Sequence, residues 1–338
     1  MEPHSDLRLA LLNPWQRDFP LVREPFTHIA TTVGLSTDAV LAGYAQLQNE
    51  GALGRIGGVF AGNAGGAALL AAMAVPPERL DAVAAVVSSH PGVNHNYQRE
   101  HHFNLGFVMT GQEDAAVRAA MRSLEDATGL PALQLRMQRA YRIDLGFDLR
   151  GSTAPAPMAA AREATPVQGA DRPLAALLED GLPLVPRPYD AWAQALDRTP
   201  ESVLHTLQQW LDQGTVRRIG AIVRHHELGF DANAMTVFNI PDAQVDACGE
   251  ALARVTGVTL AYRRERAGGW PYNLYCMVHG RDRTAVRDVI ARVLDHCDLA
   301  QYPHEVLFSC RRFKQTGPRR FRALPETTMP EELDAVAG

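Results

Sequence analysis

LQNEGALGRIG, at residues 47–57, aligns without a gap with WLDQGTVRRIG, at residues 210–220, and this pair of stretches decides the fold. The likeness continues in GVNHNYQRE at 92–100, which aligns with GVTLAYRRE at 257–265. The repeat is about 160 residues long, whereas the repeats of solenoid proteins are about 20–50 residues long. The sequence therefore predicts two fused copies of one subunit, a covalent pseudo-dimer whose halves are free to diverge.

Length and composition favour a globular protein of two to three domains. The chain has 338 residues, of which 46% are hydrophobic, and a formal net charge of −5. A mildly acidic chain is not typical of proteins that bind nucleic acid in bulk. Its basic residues are arginines except for Lys314, and the planar guanidinium group suits carboxylates and phosphates.

The sequence predicts a cytoplasmic protein without a membrane segment. All four cysteines lie in the second copy and form no C-x-x-C pair, so neither a disulfide framework nor a zinc ribbon is indicated. No basic segment followed by an apolar run indicates a signal peptide. The apolar stretch at 57–75 approaches membrane-spanning length, but its counterpart at 220–238 carries Arg224, Glu227 and Asp231. The glycines at 57–75 also lack the G-x-G-x-x-G spacing of a dinucleotide-binding loop.

Each copy opens with a predicted helix-turn-helix. A helix that begins at Ser36 ends before Gly51, and its counterpart begins at Thr199 and ends before Gly214. Small hydroxyl residues before a helix and glycine after it are the usual boundary signals. A short basic segment follows each helix, with Arg55 in the first copy and Arg217 and Arg218 in the second. This segment resembles the wing of a winged helix-turn-helix.

The rest of each copy predicts the order β-α-β-β-α-β of a ferredoxin-like domain. In the first copy the predicted strands are 67–75, 93–100, 103–110 and 133–143, with helices at 77–89 and 114–128. In the second copy the strands are 234–240, 258–264, 272–278 and 305–313, with helices at 243–255 and 283–297. The predicted fold class is therefore α+β, with two tandem copies of a winged helix-turn-helix plus a ferredoxin-like βαββαβ domain.

The predicted domain boundaries follow from this pattern. Between the copies the chain is rich in alanine, proline, glycine and threonine, which is typical of a linker, and its last residues are predicted to be disordered. The predicted units are 1–56 and 57–149 (helix-turn-helix and ferredoxin-like domain of the first copy), 150–171 (linker), 172–219 and 220–322 (the same two domains of the second copy), and 323–338 (tail).

This arrangement resembles the Lrp/AsnC family of regulators over almost the whole chain, twice. The resemblance implies transcriptional control. A recognition helix, however, needs side chains that reach phosphates and base edges, usually with arginine or lysine among them. Neither 36–50 nor 199–213 contains an arginine or a lysine. DNA binding is therefore disfavoured, and a regulator of this type, with or without haem sensing, is kept as the alternative function.

The densest polar segment of the first copy contains His95, Tyr97 and Arg99, which strand alternation places on one face. The same face of the second copy carries Tyr262 and Arg264, but leucine stands at 260 in place of the histidine. The shared tyrosine and arginine are also consistent with a structural pair that braces each sheet. The histidine favours a functional site in the first copy.

The second copy has its own additions. His225 and His226 align with Gly62 and Asn63 of the first copy, and an inserted hairpin tip ends in Trp270 and Tyr272. An isolated histidine is more often an ordinary structural residue than a catalyst, and we expect this of His102 and His226. The two copies therefore look like complementary parts of one asymmetric site, or two sites that have specialised.

These segments carry a second and narrower resemblance. HNYQREH at 95–101 and FNLGF at 103–107 are similar to one subunit type of the siroheme decarboxylases. VRHHELGF at 223–230, WPYNLYCMVHG at 270–280 and SCRRFKQT at 309–316 are similar to the other type. In this family, which keeps the Lrp/AsnC architecture, the two types pair or occur fused. This chain departs from the second type at Leu260, where a histidine is common, so a catalytic role is not expected there.

The resemblance implies a carboxy-lyase that removes carboxyl groups from the acetate side chains of sirohaem. The product, didecarboxysirohaem, leads to haem d1 or by an alternative route to protohaem. The resemblance implies no cofactor beyond the iron tetrapyrrole substrate, and it allows for homologous companion subunits. His95 and His101 are the candidate acids, and His225 is the candidate ligand of the substrate's iron. The candidate substrate-binding residues are Tyr97, Arg99, Arg218, Tyr262, Arg264, Trp270 and Tyr272, with Arg55 as a further cation.

Overall fold

The computed structural model describes residues 3–143, 164–224, 229 and 231–323. The candidate iron ligand His225 and its neighbour His226 lie outside the described residues. So do most of the predicted linker and nearly all of the predicted tail.

Each copy opens with three helices. In the first copy these are α1 (Pro3–Leu12), α2 (Pro25–Val33) and α3 (Thr37–Asn49). The predicted cap of α3 is confirmed, because Ser36 Oγ accepts a hydrogen bond from the backbone N–H of Ala39 at 3.2 Å. In the second copy, Thr199 Oγ1 accepts from the N–H of Ser202 at 3.2 Å in the same way. The three helices there are α6 (Arg172–Asp180), α7 (Pro188–Ala195) and α8 (Pro200–Asp212).

The predicted wings do not form separate structures on each copy. Strand β1 (Leu53–Phe60) pairs antiparallel with β6 (Val216–Val223), so the two segments form one ribbon that joins the copies. Gly57 and Gly220 lie opposite each other at its centre. Gly220 has to be glycine, because a Cβ atom there would lie 2.2 Å from the backbone oxygen of Gln16.

The ferredoxin-like part of each copy has the predicted element order. In the first copy the elements are β2 (Ala67–Met73), α4 (Leu80–Ser89), β3 (Val93–Arg99), β4 (Leu105–Gly111), α5 (Asp114–Thr128) and β5 (Ala132–Ile143). In the second copy they are β7 (Ala232–Phe238), α9 (Val245–Leu252), β8 (Val258–Arg264), β9 (Leu274–Gly280), α10 (Arg283–His296) and β10 (His304–Gln315). The apolar stretch at 57–75 forms strands, and no helix in the described part of the chain is long and apolar enough to cross a membrane.

The two sheets join into one closed eight-stranded barrel in the order β10-β3-β4-β2-β5-β8-β9-β7. The last strand of each copy changes partner halfway along its length. Residues 132–136 of β5 pair with β2, and residues 137–143 pair with β8 of the other copy. In the same way, β10 pairs first with β7 and then with β3. The last strand of each copy therefore joins its own sheet to the sheet of the other copy.

Strand alternation divides each barrel strand between two environments. Residues such as Leu69, Ala71 and Met73 of β2 pack with apolar side chains of helices α4 and α5, outside the barrel. A matching cluster packs β7, β8 and β9 against α9 and α10 in the second copy. The intervening residues, including Leu70, face the barrel interior. The helices thus cover the outer face of the barrel. The side chains at the alternate positions of each strand point into the barrel interior.

Candidate active site

The barrel interior holds a cavity of about 730 Å³ that is lined by both copies. Its walls are residues of the barrel strands, and the β1–β6 ribbon and the segment 314–322 also border it. Most of the wall area is apolar, and the charged residues that line it are mainly basic. A cavity of this size and character is typical of a site for a small molecule or cofactor.

His95, Tyr97 and Arg99 all line the cavity, as strand alternation predicts. The Nδ1 atom of His95 is buried and has no hydrogen-bond partner among the described residues. Burial lowers the pKa of His95 to about 4, and the positive charges of Arg55 and Arg99 act in the same direction. At neutral pH His95 is therefore an uncharged group that faces the cavity.

Arg99 is held in place by the second copy. Its Nη1 atom donates hydrogen bonds to Ser309 Oγ at 2.6 Å, to the backbone oxygen of Leu307 at 3.3 Å and to Asn233 Oδ1 at 3.3 Å. Its guanidinium carbon also lies 5.5 Å from the centre of the Tyr97 ring, in cation–π range. The arginine of the first copy therefore has a fixed direction before any ligand enters.

The matching face of the second copy also lines the cavity, with Leu260, Tyr262 and Arg264 in sequence. Arg264 Nη1 donates to the backbone oxygen of Leu135 at 2.8 Å, and its guanidinium lies 4.5 Å from the centre of the Tyr262 ring. The tyrosine and arginine thus occur on both walls, whereas the histidine at this position occurs on one. A different histidine of the second copy, His279 on β9, also lines the cavity. The cavity is asymmetric, as the sequence comparison predicts.

The two aromatic residues of the inserted hairpin have different positions. Trp270 is 3% exposed and lines the cavity, and its Nε1 donates to the hydroxyl of Tyr275 at 2.7 Å. Tyr272 is not one of the described residues that line the cavity, and its hydroxyl donates to Glu305 Oε1 at 3.0 Å. Only the tryptophan of this pair therefore touches the cavity.

His101 lies behind the cavity wall. Its ring packs against Phe103 and the edge of Trp270, and these two side chains line the cavity. Its Nδ1 accepts the backbone N–H of Phe103 at 2.9 Å, so its proton is carried on Nε2, which lies 3.1 Å from Glu305 Oε2. The two candidate acids therefore occupy different environments, and His95 is the one that faces the cavity.

The basic residues of the ribbon also face the cavity. Arg55 and Arg218 line it, and Arg218 donates a hydrogen bond to the backbone oxygen of Gln16. Burial lowers the pKa of Arg55, while the carboxylate of Glu179 opposes this effect. Two arginines that a wing would present to DNA are thus directed into the protein.

A set of cations at the end of β10 and in the segment after it was not predicted from the sequence. They lie within FKQTGPRRFR, at residues 313–322, and this basic cluster was a visible signal. The acidic residues nearby are already paired, because Glu179 lies against Arg320, and Asp180 forms an ion pair with Arg322. The basic residues that line the cavity are Arg55, Arg99, Arg218, Arg224, Arg264, Lys314, Arg319, Arg320 and Arg322.

A barrel of two βαββαβ units with a basic internal cavity defines a ligand-binding protein of the AsnC-like class. The family model described as AsnC-like ligand binding domain matches residues 63–142 and 227–314. The model described as Siroheme decarboxylase NirDL-like HTH domain matches residues 9–53 and 171–217.

Similar proteins and structures agree with these matches. The siroheme decarboxylase NirDL subunit of Paracoccus denitrificans is 41% identical over 314 residues, which cover 93% of this chain and 97% of that protein. The siroheme decarboxylase NirL subunit of Stutzerimonas stutzeri is 50% identical over 144 residues, which cover 42% of this chain and 85% of that protein. A crystal structure of the siroheme decarboxylase NirDL in complex with an iron-uroporphyrin III analogue has a TM-score of 0.65 at 26% identity, covering 94% of this chain and 95% of that one. The chain belongs to the siroheme decarboxylase family.

Proposed function

We propose that this protein is a carboxy-lyase that removes carboxyl groups from the acetate side chains of sirohaem and gives didecarboxysirohaem. The observation that carries the proposal is the cavity of about 730 Å³, which combines apolar walls with His95, Tyr97 and Arg99 on one face. A flat macrocycle edged with carboxylates needs an apolar slot for its ring and cationic donors for its rim. The product serves haem d1 formation or an alternative route to protohaem.

The arginines would bind the carboxylates of the substrate. Guanidinium groups form paired, charge-assisted hydrogen bonds with carboxylates. Arg99, Arg218 and Arg264 line the cavity, and Tyr97 and Tyr262 add neutral donors beside them. Burial lowers the pKa of Arg99, which means that a carboxylate placed near it would be bound strongly by a poorly solvated cation.

His95 is the proposed general acid. When the carbon–carbon bond to a carboxylate breaks, carbon dioxide leaves and the electron pair passes into the conjugated ring of the substrate. A proton must then form the new carbon–hydrogen bond. His95 is uncharged in the empty cavity because its pKa is about 4, and the carboxylates of a bound substrate would raise that pKa and let it take up a proton.

Two further histidines keep proposed roles. His101 is the second candidate acid, and its place behind Phe103 and Trp270 favours a role in supporting that wall over direct proton transfer. His225 follows the cavity-lining Arg224 in the chain and is the proposed ligand of the substrate's iron, since imidazole suits haem iron. No cofactor besides the iron tetrapyrrole is proposed. Association with homologous companion subunits is also proposed, because the relatives are themselves named as subunits.

The alternative function, a regulator of the Lrp/AsnC type, is disfavoured. Helices α3 and α8, which stand where recognition helices would, contain no arginine or lysine. The basic residues that a wing would offer to phosphates, Arg55 and Arg218, line the internal cavity. Two of the three wing arginines are therefore directed inward, and Arg217 is the one that remains exposed.

The test is to incubate the purified protein anaerobically with sirohaem and follow the mass of the tetrapyrrole. Successive losses of the mass of carbon dioxide would support the decarboxylase. Binding without loss, together with a salt-dependent shift of duplex DNA, would support the regulator instead. No binding of the tetrapyrrole would overturn the decarboxylase and a haem-sensing regulator alike. A variant of His205, an exposed histidine of α8, serves as the matched control for variants of His95.

A further inference from the structure

The two tyrosines of the cavity have different neighbours across the barrel. Tyr97 on β3 pairs with Gly106 on β4, and Tyr262 on β8 pairs with Tyr275 on β9. These are matching positions of the two copies, because Met73 pairs with Leu105 just as Phe238 pairs with Leu274. The second copy thus has a tyrosine where the first copy has no side chain.

In the second copy Tyr275 fills the space beside Tyr262. It is fully buried, and the two rings stack with their centres 5.7 Å apart and their planes 21° apart. Its hydroxyl accepts the hydrogen bond from Trp270 Nε1 at 2.7 Å. Met235 and Met277 join the same apolar cluster. This wall of the barrel is packed as a core.

In the first copy the same space is open. A Cβ atom added at Gly106 would meet a single described atom within 4 Å, the Cγ of Arg99 at 3.9 Å. Gly106 is not one of the glycines with positive φ, so its backbone conformation suits other residues as well. Neither conformation nor close packing requires glycine at this position. What the glycine provides is room beside Tyr97.

One smaller side chain on the same wall, Val108, adds to this room. Where Met235 and Met277 face the interior in the second copy, Leu70 and Val108 stand in the first. The open wall is also the wall that carries His95. The open space beside Tyr97 and the candidate acid His95 therefore lie in the same copy. At the matching positions the other copy has leucine at 260 and packed aromatic rings.

We infer that each chain binds one tetrapyrrole, that its macrocycle lies against the Tyr97 wall of the first copy, and that Gly106 determines this choice. The inference rests on the proposed function. The second copy supplies cations and the packed wall that contains Tyr262 and Tyr275, but it does not bind a second macrocycle. Gly106 is thus a specificity-determining residue that leaves room for the macrocycle and takes no part in the reaction.

The test is an anaerobic titration with an iron-uroporphyrin III complex, followed by its Soret absorbance. For the native protein we expect saturation at one tetrapyrrole per chain. Gly106→Ala should bind within about threefold of the native affinity, because its methyl group meets open space. Gly106→Tyr should weaken binding by about 100-fold or more, because the ring would fill the space that the macrocycle needs. Gly169→Tyr, at an exposed glycine where an added Cβ atom meets nothing within 4 Å, is the matched control and should bind normally.

The outcomes separate the inference from the function on which it rests. If the native protein binds no tetrapyrrole, the proposed function fails. If it binds two per chain, or if Gly106→Tyr binds as tightly as Gly106→Ala, the function stands and the inference is wrong. The stoichiometry of the native protein needs no variant, so misfolding of Gly106→Tyr, checked by circular dichroism, does not leave the question open.

Discussion

Arg99 of the first copy donates a hydrogen bond to the amide oxygen of Asn233 of the second, with 3.3 Å between Nη1 and Oδ1. Ser309 donates to the same oxygen at 2.6 Å and accepts from Arg99 at 2.6 Å. The cation that we assign to substrate binding is therefore aimed by side chains of the other copy. Neither copy alone would hold it in this direction.

This relationship predicts the effect of Asn233→Ala. Loss of the amide oxygen removes an acceptor shared by Arg99 and Ser309, and a hydrogen bond to a charged group contributes about 1.5–3 kcal/mol. We expect the KM for sirohaem to rise about tenfold or more with a smaller change in kcat. Asn239→Ala, which removes an exposed acceptor of Arg266, is the matched control. An unchanged KM in the Asn233 variant would contradict the positioning role.

A second prediction concerns His95→Leu, which places in the first copy the residue that the second copy has at 260. Leucine fills the site without a titratable group. We expect tetrapyrrole binding within a few-fold of native and a fall in kcat of about 10²–10⁴, the usual contribution of a general acid. His205→Gln should have native kinetics. Native turnover by the leucine variant would exclude His95 as the acid.

A third prediction follows from the pKa of His95, which is about 4 in the empty protein against an ordinary value of 6.5. The unfolded chain therefore binds this proton more readily than the folded protein does. The contribution of His95 to stability is greatest above pH 6.5 and is lost as the pH drops from about 6.5 towards 4. From pH 7 to pH 5 this one group should lower the free energy of unfolding by about 2 kcal/mol.

Urea denaturation at the two pH values measures this effect. The loss of stability should be about 2 kcal/mol smaller in His95→Leu than in the native protein, because the other titrating groups are common to both. His205→Gln should follow the native protein. Equal pH dependence in all three proteins would mean that His95 titrates near its ordinary pKa.

A fourth prediction concerns Glu179, a buried carboxylate that accepts the backbone N–H groups of Arg320 and Phe321. It is also the acidic partner of the buried Arg320 side chain, at 3.7 Å. Glu179→Ala would leave that cation unpaired, which costs about 3–5 kcal/mol in buried pairs. We expect a clear fall in the thermal midpoint, measured by calorimetry. Asp180→Asn, at the more exposed pair with Arg322, should change it little.

The sequence predicted those features that depend on local patterns. Helix caps at Ser36 and Thr199 are set by residues within one turn, and the common face of His95, Tyr97 and Arg99 follows from strand alternation. Both are present in the structure. Duplication of the whole subunit was also visible, because the two copies retain similar sequences.

Features that depend on pairing between the copies were not predicted. A wing was predicted after each helix-turn-helix, but the pairing of β1 with β6 was not. The joining of two sheets into one barrel depends on strands that change partner, which no local pattern encodes. Arg320 was not predicted as a cavity residue, because it lies beyond the last predicted strand. The role of Gly106 was not predicted either, because it depends on the pairing of Gly106 with Tyr97.

The exchange of strands also dictates when the cavity can form. Strand β3 emerges from the ribosome early, yet its second neighbour, the end of β10, is synthesised roughly two hundred residues later, and such distant pairings form slowly. A nascent chain that already displays His95 still has an open sheet in place of a cavity. The closed cavity therefore requires β10, which ends at Gln315, as well as β3. A chain that stops before β10 would contain His95 and Arg99 of β3 but would not form the closed cavity that these two residues line.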